Sequence, residues 1–206
     1  MKPKLNEIDL YFITGSNLTK KTVLEDVKAA IDAGVKIIQY REKEKTKEAM
    51  LEESLEIKKL CQDKAILIIN NDVDICQTIN ADGVHLGNDD MPYQEARKIL
   101  NGKIIGLTIH NVKEAIEAEK LGADYIGVSP IFETKTKLDA GKPAGIKLIE
   151  DVKKAVKLPL VAIGGINLEN IDKVIDAGAQ SAAVISAIIT KDDVKAECKK
   201  FIDKFK

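Results

Sequence analysis

The sequence predicts an α/β protein folded as a single compact (β/α)8 TIM barrel over residues 1–206. Three observations carry this expectation. Eight short apolar runs alternate with amphipathic stretches along the whole chain. Most of the runs are near-continuous in apolar residues, as parallel strands buried on both faces are. Small helix-stopping clusters recur just before several of them.

Taken in order, the first run is Ile8–Thr14. The second, Val35–Arg41, follows the stop Asp32-Ala33-Gly34. Met50, Ser54, Ile57 and Cys61 then recur at helical spacing before Ile66–Asn70. Ala81-Asp82-Gly83 leads into Gly83–Gly87, and Ile104–Ile109 follows. A helical pattern of Val112, Ala115, Ile116 and Glu119 ends at Gly122-Ala123-Asp124, ahead of Tyr125–Val128. The longest irregular stretch, 129–144, is rich in Lys, Thr, Pro and Gly, and loops of that length are usually functional or mobile. Leu160–Ile163 comes next. Leu168, Ile171, Val174, Ile175 and Gly178 form another helical face before the eighth run, Ala182–Ser186. Eight βα pairs count to a closed barrel. An open doubly wound sheet is the alternative, and it would need a glycine-rich first turn, of which Thr14-Gly15-Ser16 is a faint version.

Composition narrows the function. The 33 acids and 32 Lys/Arg nearly cancel, and there is no Trp, which speaks against a nucleic-acid binder. No apolar run reaches membrane-spanning length, and no secretory signal opens the chain, so a soluble, cytoplasmic protein is expected. Cys61, Cys76 and Cys198 are scattered, which suits neither zinc nor a disulfide framework. Cys198 falls on the stripe Val194, Cys198, Phe201, Ile202, Phe205 and reads as a small buried hydrophobe.

In a barrel, polar residues at the carboxyl ends of strands share one mouth. Arg41, Lys43 and Lys137 would supply fixed positive charge there, suited to a diphosphate. Asn71, Asp72 and Asp90 offer hard oxygen donors of the kind Mg²⁺ shares with a phosphate; each also precedes a helix and could serve as an N-cap instead. Gly164-Gly165 and Ser186, after the seventh and eighth strands, match the phosphate pocket common in barrels. His85 reads as a hydrogen-bonded core histidine, and His110 is open to either reading.

Four segments in this order resemble the thiamine-phosphate synthase family: Gln39 to Lys43; Ala81 to Asp90; Gly127 to Phe132 with Thr134 to Lys137; and Ala162 to Ile166. The resemblance runs from about Leu10 to Ile189. It implies a magnesium-assisted transferase that joins hydroxymethylpyrimidine diphosphate to a thiazole phosphate with release of pyrophosphate. It further implies that Gln39, Tyr40, Arg41, Glu42, Lys43, Asn70, Thr108 and Lys137 hold the pyrimidine diphosphate, with Thr108 where the family often has Ser. Thr134, Lys135, Thr136, Gly165, Ile185 and Ser186 would hold the thiazole phosphate, and Asp90 would ligate Mg²⁺. The partners implied are small molecules only.

One position departs from the family pattern. The ungapped register places Asn71 where the second metal carboxylate is expected; moving Asp72 there would turn the following helix by about 100°. Asn71 is therefore expected to ligate through its amide oxygen, at the cost of one negative charge. A related thiazole tautomerase, which has a His near the position of Pro130, and a non-catalytic phosphate sensor are the rival readings.

Overall fold

The computed structural model describes residues 3–134, 136 and 141–206. Its strands are β1 (Leu10–Ile13), β2 (Ile37–Tyr40), β3 (Ile66–Asn70), β4 (Gly83–Leu86), β5 (Ile104–Ile109), β6 (Tyr125–Val128), β7 (Leu160–Ile163) and β8 (Ser181–Val184). They pair in sequence order, all parallel, and β1 closes on β8 through Leu10–Ala182, Tyr11–Ala183 and Phe12–Val184. The helices are α1 (Val23–Ala33), α2 (Lys47–Cys61), α3 (Val73–Thr78), α4 (Tyr93–Ile99), α5 (Val112–Leu121), α6 (Ile146–Ala155), α7 (Ile171–Asp176), α8 (Ser186–Ile189) and α9 (Val194–Asp203). No helix among the described residues is long and apolar enough to cross a membrane.

All eight strands lie where the apolar runs predict them, with differences at the ends of β1, β2, β4 and β8, Gly87 falling just outside β4. The outer residues of the first two runs, Ile8 and Val35 among them, lie outside the ladder as buried lead-ins. Ser186 is not the end of β8 but the first residue of α8, so the chain turns from strand to helix two residues earlier than expected. Two predicted helix stops are left-handed glycine caps: Gly34 (φ 103°) donates to Ala30 and Ile31, and Gly122 (φ 88°) to Ala118 and Glu119.

Two apolar layers hold the barrel. The outer one lies between strands and helices and includes Phe12, Ile38, Leu67, Val84, Ile126 and Phe201. Cys198 belongs to it with no exposed surface, as its place on the α9 stripe requires, and burial pushes the Cys76 and Cys198 thiols up to about 12. The inner layer fills the lumen with Ile13, Ile37, Ile66, Ile68 and Val161 around two tyrosines, Tyr11 and Tyr125. Those tyrosines stand on strands that are not neighbours, and their hydroxyls meet across the lumen at 2.8 Å.

Room for the Tyr125 ring comes from Gly106, directly opposite it on β5. A Cβ there would sit 2.1 Å from the ring, and one on Gly127 would press on His85 at 3.1 Å. Large residues in the lumen thus demand glycine on the facing strand. Gly106→Ala is expected to destabilise the protein by about 3 kcal/mol, as overpacking of a filled core does. A lowered urea-unfolding midpoint with an unchanged slope would show it.

Candidate active site

The carboxyl ends of the strands gather most of the predicted residues on one rim, and β1 positions those after β2. The Thr14 hydroxyl accepts from the Arg41 N–H at 2.8 Å and donates to the Arg41 carbonyl at 3.0 Å. Two residues on, Ser16 donates to Glu42 Oε1 at 2.9 Å. The Thr14-Gly15-Ser16 turn is therefore a clamp on the β2 loop rather than a nucleotide-binding turn.

Glu42 is buried and turned into its own loop. Its Oε1 accepts from the Lys43 and Glu44 N–H groups at 2.7 and 2.9 Å, and among the described residues its Oε2 has only the Lys45 ammonium, at 3.5 Å. Burial raises its pKa, but the Ser16 hydroxyl, the two N–H groups and Lys45 outweigh that and hold it below the ordinary glutamate value. The Tyr40 side chain, too, is turned away from the mouth. β2 side chains alternate, so Gln39 enters the lumen while Tyr40 packs outward and donates to Glu53 of α2 at 2.8 Å. Only the backbone of Tyr40 is left for the mouth, and the Glu42 carboxylate orders the loop that presents Arg41 and Lys43.

Beside that loop lies a cleft of about 310 Å³ lined by Glu42, Lys43, Lys47, Asn70, Asn71 and Asp72, with Met50, Val73, Asp74 and Met91. Asn70 is the last residue of β3. Asn71 sits just beyond it in the left-handed region (φ 67°), a conformation that Asn and Asp tolerate better than other side chains, and its N–H donates to the His85 carbonyl at 2.9 Å. Asp72 is the N-cap of α3, accepting from the Ile75 N–H at 2.8 Å, and its other oxygen lies 3.6 Å from Lys47. Capping thus accounts for Asp72 and leaves Asn71 facing the cleft. Asp90 caps no helix. Its Oδ2 accepts from the Gly87 N–H at 2.6 Å, and among the described residues no hydrogen bond engages its other oxygen.

The described residues contain no group of three or more His, Cys, Asp or Glu side chains that could cage a metal. Asn71 and Asp90 are by chemistry oxygen donors carrying one charge between them, the kind a hard cation accepts when most of its ligands come from a diphosphate and water.

The opposite side of the mouth is built by β7, β8 and the β6–α6 loop. Ile131 and Phe132 extend the ladder, donating to the Ile163 and Gly164 carbonyls at 2.9 and 3.0 Å. This close approach requires glycine at both positions of the Gly-Gly pair: a Cβ on Gly164 would lie 2.8 Å from Pro130, and one on Gly165 (φ 65°) 2.3 Å from the Glu133 carbonyl. Thr136 donates to Ser186 at 3.3 Å and takes its own N–H to the Thr134 hydroxyl, so three of the predicted phosphate ligands share one place. Ile185 immediately precedes α8, whose first turn begins at Ser186. Lys135 and Lys137 lie outside the described residues.

Thr108, near the end of β5, bonds His85 Nε2 at 2.8 Å, and His85 Nδ1 meets the Tyr125 hydroxyl at 2.9 Å. His85 is thus the hydrogen-bonded interior histidine the sequence suggests. His110 is on the rim, within 3.2 Å of Glu114. Sequence reading missed Thr14, Ser16, Tyr11 and Tyr125; only the placement of Thr14-Gly15-Ser16 at a strand end could have pointed to the first two.

A closed (β/α)8 ladder with its polar groups converging on one mouth defines a barrel enzyme acting on small molecules. The family model for thiamine monophosphate synthase matches residues 10–188. The chain is 54% identical over 200 residues to the thiamine-phosphate synthase of Methanosarcina mazei, covering 97% of this chain and 83% of that one. It superposes on the thiamine phosphate pyrophosphorylase of Pyrococcus furiosus with a TM-score of 0.91 at 35% identity, over 98% of this chain and 96% of that one. A 3-hexulose-6-phosphate synthase shares the fold alone, with a TM-score of 0.69 at 19% identity over 96% and 99% of the two chains. The chain belongs to the thiamine monophosphate synthase family, whose members are transferases.

Replacing Glu42 by Gln tests the loop assignment. A carboxylate held below its unfolded pKa adds stability that is complete above the unfolded value and is lost as pH falls through the folded one. Glu42→Gln should therefore cost about 1–3 kcal/mol at neutral pH, and the gap to the parent protein should narrow steadily as pH falls below the ordinary glutamate value of about 4.3. Unfolding curves at pH 7 and pH 3.5 would check both limbs.

Proposed function

We propose that the chain forms thiamine phosphate by joining hydroxymethylpyrimidine diphosphate to a thiazole phosphate with loss of pyrophosphate, the whole barrel acting as one catalytic unit. The observation that carries the proposal is the division of the mouth. An oxygen-rich cleft at β2 and β3, with the exposed Lys43 on its wall, faces a glycine-lined, hydroxyl-rich pocket at β7 and β8. Two phosphorylated substrates need two such halves on one rim.

In this reading the bond from the pyrimidine methylene to the diphosphate breaks first, leaving a resonance-stabilised cation that the thiazole nitrogen captures. Arg41, Lys43 and Lys137 hold the departing pyrophosphate, and Gln39, Asn70 and Thr108 orient the pyrimidine. Thr134, Lys135, Thr136, Gly165, Ile185 and Ser186 hold the thiazole phosphate so that its ring nitrogen faces the methylene carbon. Asn71 and Asp90 would hold Mg²⁺, which, when bound, neutralises charge on the leaving diphosphate. The chain's own contribution is alignment of two reactants and electrostatic stabilisation of a leaving group. Three buried cysteines, scattered along the chain, support a reducing, cytoplasmic setting.

Incubating the purified protein with both substrates and Mg²⁺ should yield thiamine phosphate; absence of product at any Mg²⁺ concentration would overturn the reading. Lys137→Ala should lower turnover about a hundredfold or more while the circular dichroism spectrum is unchanged, the scale of losing one charge-stabilising donor. Asn71→Asp should restore a carboxylate and lower the Mg²⁺ concentration for half-maximal rate. An unchanged Mg²⁺ titration would remove Asn71 from the ligand set.

A further inference from the structure

A continuous hydrogen-bond relay crosses the barrel interior. It begins at Gln39, near the carboxyl end of β2, and runs through Tyr11 on β1, Tyr125 on β6 and His85 on β4 to Thr108, near the end of β5. Each of its four links is 2.8 or 2.9 Å long. Both ends lie at the mouth, and the two tyrosines at its middle also line a small cavity at the amino-terminal floor of the barrel. The relay thus joins two residues assigned to the pyrimidine diphosphate through three that touch no substrate in the proposed reaction.

A hydroxyl donates one proton and an imidazole nitrogen is either donor or acceptor, so fixing one end of such a chain fixes every link. In this structure the Gln39 amide is turned so that Nε2 donates to the Tyr11 oxygen and cannot accept. Tyr11 must then send its own proton to Tyr125, the other partner of its hydroxyl among the described residues. Tyr125 sends its proton to His85 Nδ1, and the proton on Nε2 goes to Thr108 Oγ1. With the Gln39 amide so placed, the opposite direction would make Tyr11 accept twice and leave a phenol proton without an acceptor in an apolar interior, which is costly. A charged imidazolium fails for the same reason, since it would donate to Tyr125 and push that proton back onto Tyr11. Burial also raises the pKa of both phenols, keeping them protonated and able to donate.

We propose that this relay sets the hydrogen-bonding polarity of the mouth: it holds His85 as the neutral Nε2–H tautomer, frees the Thr108 proton to donate to a ligand and leaves the Gln39 carbonyl oxygen to accept from one. Tyr11, Tyr125 and His85 are then positioning residues. The ligand they select offers an acceptor at Thr108 and an N–H or O–H donor at Gln39. A ligand with the reverse pattern would have to turn the Gln39 amide and reverse four hydrogen bonds together. The assignment of the two ends to the pyrimidine diphosphate rests on the proposed function; the direction of the relay does not.

The chain has only two histidines, His85 and His110, so the tautomer can be read directly from protein labelled with ¹⁵N in histidine. Long-range proton–nitrogen correlation spectra at neutral pH, with His110→Gln to assign the signals, should show His85 protonated at Nε2 and bare at Nδ1. An Nδ1–H tautomer or an imidazolium in the parent protein would overturn the relay direction, and that measurement needs no lumen variant. Tyr125→Phe, which removes the donor to Nδ1, should turn the single tautomer into a mixture. It should also raise KM for the pyrimidine diphosphate about tenfold with kcat changed less than about twofold, the effect of one misdirected hydrogen bond. Retention of both the tautomer and KM in Tyr125→Phe would sink the positioning role. The expected tautomer in a protein that makes no thiamine phosphate would uphold the relay and overturn the function instead.

Discussion

Closure of the sheet, by pairing β1 with β8, is the constraint on which the rest of this structure depends. Once every strand is paired on both edges, the lumen has a fixed width and must be filled without voids. Two tyrosines meeting hydroxyl to hydroxyl do much of that filling, and a buried hydroxyl demands partners. The polar chain through Gln39, Tyr11, Tyr125, His85 and Thr108 is therefore a consequence of packing before it is a feature of the site. Gly106 and Gly127 are its steric counterparts, lacking side chains where the Tyr125 and His85 rings must pass. A change of volume in the lumen is accordingly also a change in the polar groups that reach the mouth.

The same closure explains why the two halves of the mouth are built differently. On the β2–β3 side, short loops follow the strands, and hydrogen bonds from β1 hold them: the Thr14 and Ser16 hydroxyls seize Arg41 and Glu42. Charge is presented there on an ordered backbone. On the β7–β8 side, the β6–α6 chain runs alongside β7 and leaves so little space that only glycine fits at 164 and 165. That crowding brings Thr134, Thr136 and Ser186 within hydrogen-bond reach of one another. One half works through cations and oxygen donors, the other through neutral hydroxyls and the backbone.

Much of this was legible in the sequence, and the limits have physical causes. Apolar runs revealed every strand because parallel strands in a barrel are buried on both faces, so the core pattern and the strand pattern coincide. Ends were less clear: Ser186 continues the small, apolar character of β8 while its backbone has already turned into α8. Motif reading placed Gln39 to Lys43 at the mouth as a block, yet strand alternation sends Gln39 inward and Tyr40 out to Glu53, and Glu42 turns to its own loop. The clamp from Thr14 and Ser16 and the Tyr11–Tyr125 bridge join residues 26 to 114 positions apart, so no local pattern could announce them.

Asn71 is where fold and chemistry meet most closely. Its left-handed backbone admits Asn and Asp almost equally, so conformation does not account for the missing carboxylate. Charge does. The cleft is already lined by Glu42, Asp72 and Asp74 against Lys43 and Lys47, three acids to two bases. Glu42 and Asp72 are spent on a loop and a helix cap, and Lys47 bonds Asp74 at 2.7 Å, so the exposed Lys43 carries the unspent positive charge among these lining groups. A carboxylate at 71 would tighten a divalent cation but repel a diphosphate whenever that cation was absent. Under the proposed function, the amide would weaken the metal site and remove that repulsion. For the proposed reaction, that balance would favour binding of the diphosphate before the metal, or together with it as one complex.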